Sequence, residues 1–225
     1  MASLTVALPK GKLFGPSMAL FVRLGAARLA DLAESRRLLV EDPAVGLRFI
    51  AAKPVDVPVY VERGAADVGI VGRDVIEESD RDVYQPLCLS FGACRLVVAA
   101  PRGVTLAGLR LRPTLRVATK YPRLARQHFL DQGLSVEIVG LSGNVELAPR
   151  AGLADLIVDV VDTGHTLREN GLVELETVMQ SQACVIVNRA SHKLRLAEIA
   201  RLLAALQQAD APVPAGTGAP VGLLT

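Results

Sequence analysis

Tryptophan is absent from this chain, and aromatic residues make up only 4% of it. Stacking platforms for single-stranded nucleic acid are therefore scarce. An excess of one charge is missing too: 25 Lys and Arg stand against 23 Asp and Glu, a net charge of +2. That balance makes no case for a nucleic-acid or membrane surface. Apolar runs such as Leu96–Ala100 are too short to span a bilayer. The opening residues, Met-Ala-Ser-Leu-Thr-Val-Ala-Leu-Pro-Lys, lack the basic region and long apolar stretch of a secretion signal, so a cytoplasmic location is expected. The only cysteines are Cys88, Cys94 and Cys184, without CxxC spacing. This argues against a disulfide framework or a zinc ribbon and suits buried thiols in a reducing compartment. His128, His165 and His192 lack metal-ligand spacing, and no Walker A loop is present.

What the sequence does have is apolar mass: 51% hydrophobic against 21% charged residues over 225 positions. That is enough for one large domain or two small lobes. Short β-branched runs alternate with longer amphipathic stretches. Strands are expected at 4–8, 47–51, 68–71, 94–99, 116–119, 136–139, 156–161, 172–178 and 183–187. Helices are expected at 15–33, 55–63, 123–132, 145–151, 166–170 and 193–208. Several of the strands are apolar throughout, as when helices cover both faces of a sheet. The pattern predicts an α/β fold with largely parallel sheets. The Pro- and Gly-rich stretch at 209–225 reads as a flexible tail. Its Gly216-Thr-Gly218 has no preceding strand and does not make a dinucleotide fingerprint.

The most informative segment is Leu156-Ile-Val-Asp-Val-Val-Asp-Thr-Gly-His-Thr-Leu-Arg168. An apolar strand runs into Asp159 and Asp162, then into Thr163-Gly164-His165-Thr166, with a helix to follow. Free backbone N–H groups at a helix start attract phosphate. Gly164 permits a tight turn, the Thr163 and Thr166 hydroxyls donate to phosphate oxygens, and Asp159 accepts from ribose hydroxyls. Taken alone, the loop also fits a Thr N-cap on an ordinary helix, and His165 fits a plain loop residue. Lys10-Gly11-Lys12 follows the first strand, where two cations suit a polyphosphate or simply a solvated helix start. Asp67 and Asp74 flank Val-Gly-Ile-Val-Gly and read equally as acids at the ends of a buried strand. Gly140-Leu-Ser-Gly-Asn144 lacks the last glycine of a nucleophile elbow and reads as a turn.

Read together with Glu146, Gly152, Ala154, Ile157 and Asp159, the spacing of Thr163-Gly164-x-Thr166-Leu167 resembles the signature of ATP phosphoribosyltransferases. Leu8-Pro-Lys-Gly-Lys-Leu13 is similar to that family's Leu-Pro-Lys-Gly-Arg-Leu, with Lys12 in place of the usual Arg. The stretch from Asp56 to Asp74, Phe91-Gly-Ala-Cys-Arg-Leu96, Val117-Ala-Thr-Lys-Tyr-Pro122 and Gly171-Leu172 add to the likeness, which runs from about Leu4 to about Gln208.

The resemblance implies a two-lobed, periplasmic-binding-protein-like type II fold with the active-site cleft between the lobes. Lobe I would be residues 1–90 plus 181–208 and lobe II residues 91–180, with no C-terminal regulatory domain, as in the short form of the family. The implied reaction joins ATP and phosphoribosyl pyrophosphate (PRPP) to give N1-(5-phosphoribosyl)-ATP and pyrophosphate, the first step of histidine biosynthesis. Asp162, Thr163, Gly164, His165, Thr166 and Leu167 would hold the PRPP 5′-phosphate. Glu146 and Asp159 would orient ribose hydroxyls, or a magnesium ion on them, and no covalent nucleophile is implied. Lys10, Gly11 and Lys12 would meet pyrophosphate or triphosphate, and Asp74 adenine or ribose. Magnesium (Mg2+) would ride mainly on substrate phosphates and waters. The implied partners are a second copy of the chain and a regulatory subunit resembling histidyl-tRNA synthetase. The competing expectation is a cytosolic ligand-binding or sensor protein of the same fold, without catalysis.

Overall fold

A computed structural model describes residues 3–34, 37–109 and 114–211. The chain divides into two compact units, one made of residues up to Gly92 and from Gln182 onward, the other of Ala93–Ser181.

The first unit begins with β1 (Leu4–Pro9), α1 (Phe14–Arg23), α2 (Ala30–Glu34), β2 (Leu39–Asp42) and β3 (Leu47–Ala52). It continues with α3 (Val57–Glu62), β4 (Val68–Gly72), α4 (Arg73–Ser79) and β5 (Tyr84–Cys88). The second unit holds β6 (Cys94–Pro101), α5 (Leu106–Leu109), β7 (Leu115–Thr119), α6 (Pro122–Asp131), β8 (Val136–Gly140), β9 (Leu156–Val161), α7 (His165–Glu169) and β10 (Leu172–Ser181). The chain then returns to the first unit with β11 (Ala183–Val187), α8 (Arg189–Leu194) and α9 (Leu196–Asp210).

The six-stranded sheet of the first unit has the order β2-β3-β1-β4-β11-β5, and the five-stranded sheet of the second has β10-β6-β9-β7-β8. Both are mixed rather than largely parallel. β1 runs parallel to β3 and β4, and β7 runs parallel to β8 and β9, while β2, β5, β6, β10 and β11 pair antiparallel. The reason lies in the connections: β2 and β3 are joined by a tight turn, which dictates antiparallel pairing. β6 carries the chain into the second unit and β10 carries it out, so the two must run in opposite directions. β1, β4 and β11 are buried along their whole length, as strands covered on both faces should be.

The expected helix at 15–33 is broken. α1 stops at a Schellman motif: Gly25 has φ +94°, its N–H donates to Val22 O at 2.9 Å, and the Ala26 N–H donates to Phe21 O at 3.1 Å. The expected helix at 145–151 is one 3-10 turn, Val145–Leu147. Pro149 has no N–H to continue it, and Gly152 turns the chain away with φ +72°. The expected helix at 193–208 is two, α8 and α9, divided at Arg195. α4 and the edge strands β2 and β5 were not expected. The expected tail lies largely outside the described residues; within them, α9 runs on to Asp210.

One polar hub fastens the first unit. Asp67 Oδ2 accepts from the Thr5 N–H at 2.8 Å, Oδ1 accepts from Ser191 Oγ at 2.7 Å, and Arg195 Nη1 lies 3.4 Å from Oδ2. Arg195 also grips Glu198, at 3.1 and 2.6 Å. Asp67 therefore joins β1, β4, α8 and α9, and of the two readings of this acid the structural one holds. Asn188 caps α8 by accepting from the Ser191 N–H at 2.8 Å, and its amide donates to Val61 O and Glu62 O at the end of α3.

Candidate functional site

Three parallel strands of the second unit, β7, β8 and β9, end on the same edge of their sheet. Lys120, the turn carrying Glu146, and the 162–164 loop issue from those ends. In α/β sheets ligands gather at strand carboxyl ends. Thr119 stitches this edge together. It is fully buried; its Oγ1 donates to Val158 O at 2.7 Å and accepts from the Tyr121 N–H at 2.8 Å. The Leu141 N–H donates to Thr119 O at 3.0 Å.

Asp159 sits half-buried near the end of β9. Its Oδ1 accepts from the Val160 N–H at 2.8 Å and lies 3.1 Å from Lys120 Nζ. In the sequence Lys120 is marked only as part of the motif Val117-Ala-Thr-Lys-Tyr-Pro122. The available signal was its place directly after β7, on the same edge as Asp159.

The loop turns on Gly164, with φ +73°. A Cβ there would lie 3.0 Å from Arg168 Nη1 and 3.1 Å from Glu174 Oε1, so these side-chain ends would have to shift by a few tenths of an ångström in addition to the backbone strain. Glu174 is itself held by Arg95, at 2.7 and 3.2 Å. Gly164, not a threonine, occupies the N-cap of α7, so the capping reading of Thr163 is not realised. The first helical acceptor is Gly164 O, taken by the Arg168 N–H at 3.2 Å; the amides of His165, Thr166 and Leu167 precede the helical ladder. Asp162, Thr163, His165 and Thr166 are exposed, while Leu167 anchors the loop in a core cluster with Val161 and Leu172. His165 Nδ1 lies 3.4 Å from Glu169 Oε2, a solvent-exposed pair of little energetic weight.

Glu146 is half-buried on its one-turn helix, between the buried Val145 and Ala148 side chains that seat the turn, and after Asn144 in the left-handed region.

Lys10, Gly11, Lys12 and Asp74 belong to the first unit, at the carboxyl ends of the adjacent parallel strands β1 and β4. The Lys10 N–H donates to Ala52 O at 2.8 Å, and Gly11, with φ +91°, accepts from the Phe14 N–H at 3.0 Å. All three residues from 10 to 12 are exposed. Asp74 is buried in the first turn of α4, folded back so that a Cβ on Gly72 would overlap its Oδ1. Among the described residues no three His, Cys, Asp or Glu side chains gather as metal ligands, and no helix is long and apolar enough to cross a membrane.

Known proteins give this geometry a context. Residues 53–208 match the family model described as HisG, ATP phosphoribosyltransferase. The chain is 48% identical over 212 residues to an ATP phosphoribosyltransferase of Moorella thermoacetica, covering 92% of each chain. It superposes with a TM-score of 0.81 and 33% identity on the ATP phosphoribosyl transferase (HisG:HisZ) complex from Thermotoga maritima, covering 92% of this chain and 98% of that one. The periplasmic aliphatic sulphonate binding protein SsuA of Escherichia coli, 16% identical with a TM-score of 0.57 over 94% of this chain and 73% of its own, shares the fold alone. The fold is thus the two-lobed type II arrangement of α/β units, and on the family match and the 48% identity the chain belongs to the ATP phosphoribosyltransferases.

Proposed function

We propose that this chain catalyses the reaction of ATP with PRPP to give N1-(5-phosphoribosyl)-ATP and pyrophosphate, opening histidine biosynthesis in the cytoplasm. Beyond family membership, the reading rests on the run from Asp159 to Leu167: a half-buried carboxylate near the end of a strand, then an exposed hydroxyl-bearing loop hinged on a left-handed glycine.

In this reading the loop 162–167 holds the 5′-phosphate through its amides and the Thr163 and Thr166 hydroxyls. Asp159 and Glu146 accept from the ribose hydroxyls and hold the anomeric carbon for in-line attack by adenine N1. Lys10 and Lys12, with the open backbone of Gly11, meet pyrophosphate or triphosphate charge. Asp74 orients adenine or its ribose. N1 brings its own lone pair, so the chain supplies orientation and electrostatics and no nucleophile. The hard carboxylate oxygens of Asp159 and Glu146 would suit magnesium carried on substrate phosphates, and such an ion would supply charge neutralisation for the leaving pyrophosphate.

The Moorella relative is of about this chain's span, as the short form is, and the Thermotoga protein is a HisG:HisZ complex. By analogy this chain forms homodimers that join a regulatory subunit resembling histidyl-tRNA synthetase. The test mixes the purified chain with ATP, PRPP and magnesium, with and without that subunit. Ultraviolet absorbance of phosphoribosyl-ATP together with released pyrophosphate supports the reading. Binding of PRPP without turnover in either mixture would instead favour a ligand-binding protein. Histidine titrated into both mixtures should inhibit strongly only where the subunit is present.

A further inference from the structure

Lys120 follows β7 on the sheet edge of the second unit that carries Asp159, and it has no assigned role. Its backbone is fixed from both sides, because Thr119 Oγ1 bonds Val158 O at 2.7 Å and the Tyr121 N–H at 2.8 Å. Its ammonium lies 3.1 Å from Asp159 Oδ1 and 5.5 Å from the centre of the Tyr121 ring, on a side chain that is 41% exposed. An ammonium has three donors. Asp159 uses one, leaving others for an incoming anion. A part-exposed ion pair adds little to stability, so folding gives small reason for this clamp.

We propose that Lys120 is a substrate-contacting cation of this site: it pairs with Asp159 when the site is empty and donates to a phosphoryl oxygen of PRPP once ribose hydroxyls engage Asp159. This rests on the loop 162–167 being the PRPP site. Without Lys120, Asp159 would face a polyanion with its charge uncompensated.

The test is calorimetric titration of PRPP with magnesium, and separately of ATP, into the parent, K120M, K120Q and K120R. PRPP affinity should fall about tenfold to a hundredfold in K120M and K120Q, the range of a charge-assisted bond, and return largely in K120R. ATP affinity should hold in all three. In a D159N background, K120M should still weaken PRPP binding, because the contact is with substrate. PRPP affinity within twofold of parent in both neutral variants overturns the proposal. So does the loss of any K120M effect once Asp159 is neutral, which would reduce Lys120 to a charge partner. Failure of the parent itself to bind PRPP removes the functional reading instead.

A different observation, in the first unit, carries a second inference. Cys88 on β5 lies directly opposite Cys184 on β11. The Leu89 N–H donates to Ala183 O at 2.8 Å, so the pair is of the non-hydrogen-bonded kind, with Cα atoms about 4.5 Å apart and side chains on one face. That lies within the span a disulfide needs. The Gln85 amide reaches both sulfurs, at 3.2 and 3.3 Å. We infer that Cys88 and Cys184 are a dithiol site for low-molecular-weight disulfides. The exposed Cys88 thiolate attacks one sulfur of glutathione disulfide and releases one glutathione thiolate. Cys184, having given up its proton, then attacks Cys88 Sγ and releases the second. The two thiol protons go to the two glutathiones, and the two electrons to the disulfide consumed. Burial pushes the Cys184 thiol well up, so Cys88 is the residue that meets the oxidant.

The full chain, reduced and then incubated with glutathione disulfide, should yield a Cys88–Cys184 linked peptide by mass spectrometry, reversed by dithiothreitol. Cys94 should remain open to alkylation, and the link should vanish in C88S and in C184S. A stable glutathione adduct on Cys88, a link to Cys94, or three unmodified thiols would each overturn the inference.

Discussion

At Gly164 two restraints meet, a φ of +73° and a Cβ position crowded by the side-chain ends of Arg168 and Glu174. Gly164→Val should therefore strain the loop and displace the Arg95–Glu174 pair beneath it. Calorimetry should find PRPP binding crippled, whereas Thr166→Ala should weaken it by only about 0.5–3 kcal/mol, the worth of one hydrogen bond to an anion. Both variants binding as the parent does would remove the loop from the site. Asp159→Asn is a near-isostere at a part-exposed position, so its Tm should stay within a few degrees of the parent. Its activity should fall at least about tenfold, or about 1.4 kcal/mol of transition-state stabilisation. Asp67 is the opposite kind of acid, half-shielded and bound to three elements. Asp67→Ala removes one of the carboxylates facing Arg195 and the side-chain acceptor of the Thr5 N–H, and should cost about 2–4 kcal/mol in urea unfolding. Acid should loosen the same unit. The Asp82 N–H and Arg81 hold Glu62 below its ordinary value of 4.5, and a hydrogen bond from Arg195 does the same for Glu198. Their contribution is complete above that ordinary value and is lost as the pH falls through the lowered ones. The urea midpoint should drop more steeply below about pH 4.5 in the parent than in a Glu62→Gln, Glu198→Gln double variant.

Secondary elements were legible where burial is uniform and local signals agree. The nine expected strands all exist, because apolar β-branched runs bounded by glycine or proline leave little else to form. β5 carries no clear strand signal because it is an edge strand of mixed exposure with Pro86 inside it, a position tolerated only at an edge. α4 is short and polar, with Asp74 and Ile76 its only buried residues. Apolar periodicity continues past Gly25 and so predicts one helix over 15–33, although a glycine there is the local stop signal. The loop 162–167 was legible because its residues are contiguous. The Lys120–Asp159 pair was not, because its members lie 39 positions apart and meet only through the pairing of β7 with β9. Element ends also hold stability that sequence spacing hides. Asn188→Ala removes the cap of α8 and both bonds to the end of α3, and should cost about 1–3 kcal/mol by chemical denaturation. A cost near zero would mean that α8 is held by Arg195 and Asp67 alone.

Over the whole molecule, the composition left one large domain and two small lobes equally open, and it is silent on how the chain is shared between two bodies. β11 lies between β4 and β5 in the first unit's sheet, yet it follows the entire second unit in sequence. The first and last strands of the second unit pair at their outer ends, Cys94 opposite Ser181, and so the unit resembles an insertion whose two ends close on each other. During synthesis this ordering becomes a timetable. The second unit leaves the ribosome with all its strands, while the 92 residues made before it still wait for the strand that will cover the edge of β4. At about 5–20 residues per second, that open edge persists for several seconds. Chains stalled at successive lengths and pulsed with protease should gain a protected second unit first, and the first unit only after β11 and α9 have emerged. Whatever shields a growing chain from its neighbours in the cell therefore has its work at one strand edge, over one stretch of translation.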